Sequence, residues 1–178
     1  MNTVSHLPQT PVRYDAITRL LHWVMALGFI WIFASAIAHN QFKESAFDAF
    51  MWPTHKPVGL LLMSLILLRI VWMIATFSKR PPAVSALARI GHLALYALMF
   101  TVPAIGLIRQ YGSGRAFEAF GMTIMSGFQG PRIEWAVNLG TNFHSVLGRI
   151  LLFMALGHIL ATLWHTFAGR KDILNRMR

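Results

Sequence analysis

The chain has 178 residues, of which 56% are hydrophobic and 12% charged, with a formal net charge of +10 and no cysteine. A soluble domain carries about 45–50% apolar and about 25% charged residues, so this composition excludes an ordinary soluble globule, while the lack of cysteine excludes disulfides, covalently attached haem and thiol catalysis. The basic residues lie between apolar segments, which favours loops beside a membrane and gives no reason to expect a nucleic-acid partner.

Four apolar runs are each long enough to cross a bilayer as a helix, which takes about 20 residues. They span residues 18–38, 57–77, 90–108 and 144–167. We therefore predict an all-α integral membrane four-helix bundle in which residues 13–170 form one transmembrane domain. Residues 1–12 are expected to be a flexible tail, and residues 171–178 a basic C-terminal tail.

The distribution of basic residues predicts the orientation of the bundle. The N-terminal arm, the second loop and the C-terminal tail hold nine Lys and Arg, whereas the other two loops hold five. By the positive-inside rule, both termini are expected in the cytoplasm. The third loop, residues 109–142, is expected to contain a short interfacial helix near residues 133–139. Arg69 and Arg149 fall inside spans, where a charge is costly and usually functional.

Four histidines form two pairs when their depths are measured at about 1.5 Å per helical residue from the nearest cytoplasmic basic residue. His55 and His144 lie about 36–39 Å above these markers, and His22 and His158 about 14–18 Å. On the fourth span the two histidines lie about 40° apart around the axis and roughly 21 Å apart along it. Two imidazoles from facing helices at one depth are what a six-coordinate b haem needs. The sequence therefore predicts two non-covalent haems that form an electron path across the bilayer.

Other histidines and two glycines leave alternatives open. Any single membrane histidine is also explained by a helix–helix hydrogen bond or a proton relay. His92 and His165 lie only about 5 and 8 Å above the markers, too low for the deeper haem, and suit either a quinone or proton site or an ordinary interfacial position. His39 is expected at the surface. Gly59 and Gly148, one turn from the upper histidines, fit either room for a macrocycle or close helix packing.

Short motifs in the spans and in the third loop add a further pattern. They are RLLHW at residues 19–23, THK at 54–56, GHL at 91–93, PAIGL at 103–107, AFGMT at 119–123 and GH at 157–158. In this order, over roughly residues 13–170, they resemble the bacterial cytochrome b561 family of four-helix, di-haem inner-membrane proteins. The resemblance supports the fold and the cofactor that the spans and the histidine depths predict.

The resemblance also implies roles for individual residues. It implies that one haem iron is bound by His22 and His158 and the other by His55 and His144, which are the pairs that the depth estimate gives. It further implies that Arg69, 14 residues after His55, pairs with a propionate of the deeper haem. Snorkelling of the Arg69 side chain to the interface is the alternative.

The resemblance leaves two hypotheses for the function. Family members similar to this chain oxidise superoxide and pass the electron to membrane ubiquinone, which implies a superoxide oxidase in the lipid bilayer. Lys56, with Arg109, Arg115 and Arg132, is then expected to steer the anion on the periplasmic side, although basic loop residues also bind lipid headgroups.

The family also resembles b-type anchor subunits of formate dehydrogenases and nickel-iron hydrogenases. The second hypothesis is therefore an electron-transfer subunit that relays electrons between a dehydrogenase partner and the quinone pool. A non-redox transporter is disfavoured, because no span is broken in its middle by Gly and Pro apart from Pro103 near the end of the third.

Overall fold

The computed structural model describes residues 13–169 and 171–178, so the predicted flexible tail lies outside the described residues. Its elements in chain order are α1 (Ala16–Gln41), α2 (Ala46–Met51), α3 (His55–Ala75), α4 (Ala86–Gly112), β1 (Phe117–Ala119), β2 (Met122–Met125), α5 (Glu134–Phe167) and α6 (Lys171–Asn175). Short 3₁₀ turns precede α3 and follow it. Four helical segments, with α2 and α3 counted as one, are long and apolar enough to cross a membrane. The predicted all-α four-helix membrane fold is therefore confirmed.

The four long helices pack in sequence order. Helix α1 packs on α3, α3 on α4, and α4 on α5, the last contact being the most extensive. Within the described chain, α5 makes few close backbone approaches to α1 or α3. A gap therefore separates α5 from the two helices that carry His22 and His55.

The buried core joins α1 to α3 on the other side of this gap. Met25, Leu62 and Ile66 are almost fully buried there, and partly buried side chains from α4 pack around them. Gly28 makes the close approach possible, because a Cβ at this position would lie 2.8 Å from a methyl group of Leu62. Without a hydrophobic driving force between helices in lipid, this close packing is what holds α1 against α3.

Asp15 fixes the start of α1 and ties it to the end of α3. Its carboxylate accepts hydrogen bonds from the backbone N–H of Thr18 (2.9 Å), the Thr18 hydroxyl (2.6 Å) and the Trp72 indole (2.9 Å). Burial opposes ionisation of Asp15, but these hydrogen bonds outweigh it and hold the pKa of this carboxyl below its usual value. The N-cap bond satisfies a donor that the first turn of a helix leaves free.

The two ends of the described chain meet at one end of the bundle, called here the termini end. The backbone N–H of Tyr14 donates to the Arg176 carbonyl (3.1 Å), and the Trp23 indole donates to the Met177 carbonyl (2.9 Å). The predicted basic tail thus begins as the short helix α6 and then packs against the start of α1. The opposite end, which carries α2 and the β1–β2 hairpin, is called the hairpin end.

The third loop differs from its prediction. No separate interfacial helix forms near residues 133–139, because α5 already begins at Glu134 and runs unbroken into the fourth span. Gly140 permits this, since it lies directly against the Arg109 side chain and any Cβ there would clash with it. The loop before it contains an antiparallel hairpin, which turns at Phe120 and Gly121 with φ values of 53° and 75°.

Candidate functional site

The structure brings together the two histidine pairs that the depth estimate matched. The ring centroids of His22 and His158 are 6.4 Å apart, and those of His55 and His144 are 6.2 Å apart. In both pairs the rings are nearly perpendicular, with interplanar angles of 74° and 75°. Each pair spans the gap, with one ring on α5 and the other on α1 or α3. The two pairs therefore form matching sites at different depths of the bundle.

These separations fit a single metal ion between each pair of rings. A metal–imidazole nitrogen bond is about 2.0–2.1 Å long and the nitrogen lies about 1.1 Å from the ring centroid, so two imidazoles on opposite sides of one metal have centroids about 6.3 Å apart. Among the described residues, no group of three or more His, Asp or Glu is arranged for a metal ion. Two protein ligands per site suit a haem iron, whose other four ligands come from the macrocycle.

Hydrogen bonds fix the orientation of both rings at the hairpin end. The hydroxyl of Ser35 donates to the Ile32 carbonyl (2.7 Å), so towards His55 Nδ1 (2.8 Å) it acts as acceptor and the ring nitrogen carries the proton. His144 Nδ1 likewise donates to the Val102 carbonyl (2.9 Å). In both rings Nε2 is left with a free lone pair. Metal-binding histidines are usually oriented in this way.

Three glycines near the hairpin-end pair differ in the space that a Cβ would find at each position. A Cβ on Gly106 would lie 2.9 Å from the ring of His144, so this glycine lets the imidazole sit against α4. A Cβ on Gly148 would meet nothing within 4 Å, so there is open space one turn from His144. Gly59 is different, because a Cβ there would touch Ile32 at 3.6 Å, an ordinary helix contact.

Arg69 is a buried cation beside the termini-end pair. The residue is only 8% exposed, and its Nε donates to the hydroxyl of Tyr96 (2.8 Å). Its guanidinium lies within electrostatic range of His22 and His158. A buried arginine at this depth fits an anionic group such as a haem propionate, and the partner that holds it, Tyr96, was not predicted from the sequence.

His92 and His165 do not behave as one shallow pair. The ring of His92 lies 5.4 Å from that of His158, so the prediction that it lies too low for the deeper site is wrong. The marker Arg89 lies in the first turn of α4, and the start of this helix sits beside His158 and not below it. His165 lies two turns beyond His158 on the same helix, on an apolar face where Trp164 and Phe167 are exposed.

Three basic side chains gather at the hairpin end. Lys56 follows His55 directly and is exposed, and Arg109 and Arg115 lie close enough to repel its charge. Within the described residues, none of the three forms an ion pair. Arg132 instead pairs with Glu134 (2.7 Å), which removes that cation and one loop carboxylate from the group. Arg149 is exposed on α5, and the structure gives it no partner among the described residues.

His39 belongs to a cluster at the hairpin end that the sequence did not predict. Its ring stacks on the indole of Trp52 with centroids 3.7 Å apart, and its Nδ1 donates to the carboxylate of Asp48 (3.1 Å). Trp52 in turn lies 5.0 Å from the ring of His55. No helical spacing links these residues, because the turn between α1 and α2 brings them together. Sequence reasoning therefore missed this cluster.

Comparisons with known proteins bear on the whole chain. A model of the prokaryotic cytochrome b561 family matches residues 13–178. The protein named cytochrome b561 homolog 2 of Escherichia coli K12 is 27% identical over 179 residues, which cover 94% of this chain and 92% of that protein. The probable superoxide oxidase CybB of Yersinia pestis is 27% identical over 170 residues, covering 93% and 95%. Cytochrome b561 homolog 1 of Escherichia coli K12 is 25% identical over 171 residues, covering 93% and 96%.

Proposed function

The chain belongs to the prokaryotic cytochrome b561 family, and on that premise we propose that it is a di-haem superoxide oxidase that reduces ubiquinone. Family membership makes it a multi-pass bacterial membrane protein of electron transfer that binds b-type haem. The number of haems, their ligands and the substrates are our proposal. The observation that carries it is the pair of matched imidazole sites across the gap between α5 and its neighbours.

His22 with His158 and His55 with His144 are the proposed axial ligands. The centroid separations of 6.2 and 6.4 Å support one iron at each site. A bound b haem supplies a reversible one-electron centre, so two of them at different depths supply a route across the membrane. The protein holds the rings in place, and Arg69 neutralises a propionate at the termini end.

The direction of electron flow follows from the charges. We place the hairpin end in the periplasm and the termini end in the cytoplasm, which agrees with the positive-inside rule. Lys56, Arg109 and Arg115 then form a cationic mouth beside His55 that draws a small anion towards this site. The similarity to the probable superoxide oxidase CybB of Yersinia pestis supports superoxide as that anion.

The termini end is the proposed place of quinone reduction. Two superoxide ions lose one electron each and become oxygen, and ubiquinone takes up two electrons and two protons to become the quinol. His165, beside exposed apolar side chains of α5, and His92, beside His158, are the proposed groups that bind the quinone or supply its protons.

Haem stoichiometry tests the two sites. Acid-acetone should extract all haem from the purified chain, and the pyridine haemochrome should count two haems per polypeptide. We expect His158→Ala to lose the termini-end haem alone and His144→Ala the hairpin-end haem alone, each leaving one transition in a redox titration. One haem in the wild type, or loss of both from a folded single variant, would contradict independent sites.

Superoxide consumption by the purified chain tests the substrate. With superoxide and a ubiquinone in one vesicle preparation, we expect quinol to form without any added protein. If superoxide never reduces the haems but an added dehydrogenase does, the chain is an electron-transfer subunit and the superoxide proposal fails.

A further inference from the structure

The cluster of His39, Asp48 and Trp52 lies at the hairpin end, next to the proposed haem ligand His55. Asp48 is 8% exposed, and it accepts hydrogen bonds from His39 Nδ1 (3.1 Å) and from the backbone N–H of Glu44 (3.3 Å). The His39 ring lies parallel to the Trp52 indole, with an interplanar angle of 5° and a centroid distance of 3.7 Å. The buried carboxylate of Asp48 thus holds the His39 ring in place, and the His39 ring holds the Trp52 indole in place.

The indole bridges the surface and the ligand. Trp52 is 39% exposed, so part of it is accessible from outside the bundle. Its ring lies close to His55, with ring centroids 5.0 Å apart and an interplanar angle of 35°. His55 is itself only partly exposed. An aromatic path from the surface to this imidazole therefore runs through Trp52.

An aromatic path would matter because a haem iron held by His55 and His144 would have two protein ligands. A six-coordinate iron has no free position for superoxide, so the electron has to pass through a ligand or the edge of the macrocycle. Electron tunnelling weakens steeply across empty or water-filled gaps, and contacting π systems remove such gaps. Lys56, four residues after Trp52, belongs to the cationic group that attracts an anion to this same end.

We propose that Trp52 relays the electron from a small anionic donor to the hairpin-end haem, and that His39 and Asp48 are positioning residues that hold the indole against His55. This inference rests on the proposed function for its cofactor and its natural donor. The step is one electron transferred: superoxide becomes oxygen, ferric iron at the His55–His144 site becomes ferrous, and no proton or other bond changes.

The test compares Trp52→Leu, which removes the ring, with Trp52→Phe, which keeps an aromatic ring for stacking. In haem-loaded protein, we expect Trp52→Leu to lower the rate of haem reduction by superoxide several-fold and Trp52→Phe to restore most of it. Haem content, the midpoint potential and the low-spin electron paramagnetic resonance signal of the hairpin-end haem should match the wild type in both. Haem reduction by ubiquinol should also be unchanged.

Trp135→Leu is the matched control. Trp135 is 68% exposed, lies at the start of α5 and precedes His144 by nine residues, about 13 Å along the helix. Its loss should leave the superoxide rate unchanged. His39→Leu should slow reduction like Trp52→Leu, because the indole loses the ring that holds it.

A second donor separates this inference from the proposed function. The sulfur dioxide radical anion from dithionite is a small one-electron reductant, so its rate reports the path even if superoxide is not the natural donor. Failure of superoxide alone would reject the substrate, while a several-fold slower reaction of Trp52→Leu with the radical anion would still support the relay. Wild-type rates for Trp52→Leu with both donors would overturn the inference. A changed potential or resonance signal in Trp52→Leu would make Trp52 a structural support of His55 and would also overturn it.

Discussion

A single hydroxyl decides which nitrogen of His55 is free to bind metal. Ser35 uses its one proton on the Ile32 carbonyl and therefore accepts the Nδ1 proton of His55. The main-chain carbonyl of Val102 has the same effect on His144, but no side-chain substitution removes that acceptor. Outer partners of metal-binding histidines matter almost as much as the ligands, because they fix the tautomer and the orientation of the ring.

We predict that Ser35→Ala weakens haem binding at the hairpin end. Loss of such an outer partner typically lowers metal affinity by about 10–100-fold. The measurement is the rate at which each haem passes to an excess of apomyoglobin, followed by its optical spectrum. Ser64→Ala is the control, since Ser64 lies on α3 and, within the described part of the chain, bonds only the Leu60 carbonyl one turn earlier. Equal haem loss from Ser35→Ala and the wild type would mean that the ring is held by packing alone.

We predict that Arg69→Gln lowers the midpoint potential of the termini-end haem. A buried positive charge favours the reduced and less positive iron, so its removal favours the oxidised form. Tyr96→Phe removes the hydroxyl that accepts from Arg69 Nε and should cause a smaller shift in the same direction. Potentiometric titration measures both. Arg149→Gln, at an exposed position, should leave this potential unchanged because solvent screens its charge. A rise in potential in Arg69→Gln would contradict the proposed role.

Packing of α4 against α5 depends on a glycine at the point where His144 reaches across. We predict that Gly106→Ala displaces the imidazole, because the new Cβ would lie 2.9 Å from the ring. Overpacking of this kind costs about 1–3 kcal/mol, which we expect to appear as loss of the hairpin-end haem while the termini-end haem remains. Haem content and a redox titration measure it.

Gly91→Ala provides the control on the same helix. A Cβ on Gly91 would meet nothing within 4 Å, so the change should keep both haems. Replacing glycine by alanine in a helix interior also favours the helix by roughly 0.5–1 kcal/mol. Full haem content in Gly106→Ala would show that the His144 ring has room to move and that this contact does not select the site.

At the scale of helices, hydropathy predicted the four spans, and the helical rise per residue predicted which histidines lie at the same depth. The four spans were predicted because crossing a bilayer requires a run of apolar residues that the sequence shows directly. The pairing of His144 and His158 with histidines on other helices was predicted because the rise per residue converts sequence spacing into depth. Their role as haem ligands stays a prediction.

What the sequence could not give depends on contacts between distant segments. The early start of α5 follows from the fit of Gly140 against Arg109. The sequence around either residue alone does not reveal this contact. The stack of His39 on Trp52 follows from the path of the chain between α1 and α3. The depth of His92 was misjudged because the start of α4, which carries Arg89 and His92, lies beside His158 and not at the level assumed for a membrane surface.

Across the whole molecule, the charges at the hairpin end are sorted in a way that composition alone does not reveal. Carboxylates and basic residues occur in the same two loops, so the sequence left the sign of the local field open. In the structure, Asp48 is bound to His39 and Glu134 is paired with Arg132, while Glu44 and Glu118 are exposed and form no ion pair among the described residues. Lys56, Arg109 and Arg115 remain as a group of like charge beside the His55 site. Like charges held together without carboxylate partners produce a field that attracts anions.

The field of this basic group predicts that the rate of haem reduction by superoxide depends on salt. If superoxide reaches the hairpin-end haem along a cationic path, Lys56→Glu should slow haem reduction by superoxide strongly at low salt and weakly at high salt. The reason is screening, because the Debye length falls from about 30 Å at 0.01 M to about 3 Å at 1 M ionic strength. Stopped-flow haem absorbance across this range measures it. Reduction by neutral quinol should scarcely respond, since a neutral molecule is not steered by charge.

Lys43→Glu is the matched control, because Lys43 is an exposed lysine at the same end that lies in the turn between α1 and α2 and outside the basic group. Equal salt slopes for Lys56→Glu and Lys43→Glu would mean that the total charge of this end attracts the anion, and that the position of Lys56 beside His55 has no special effect.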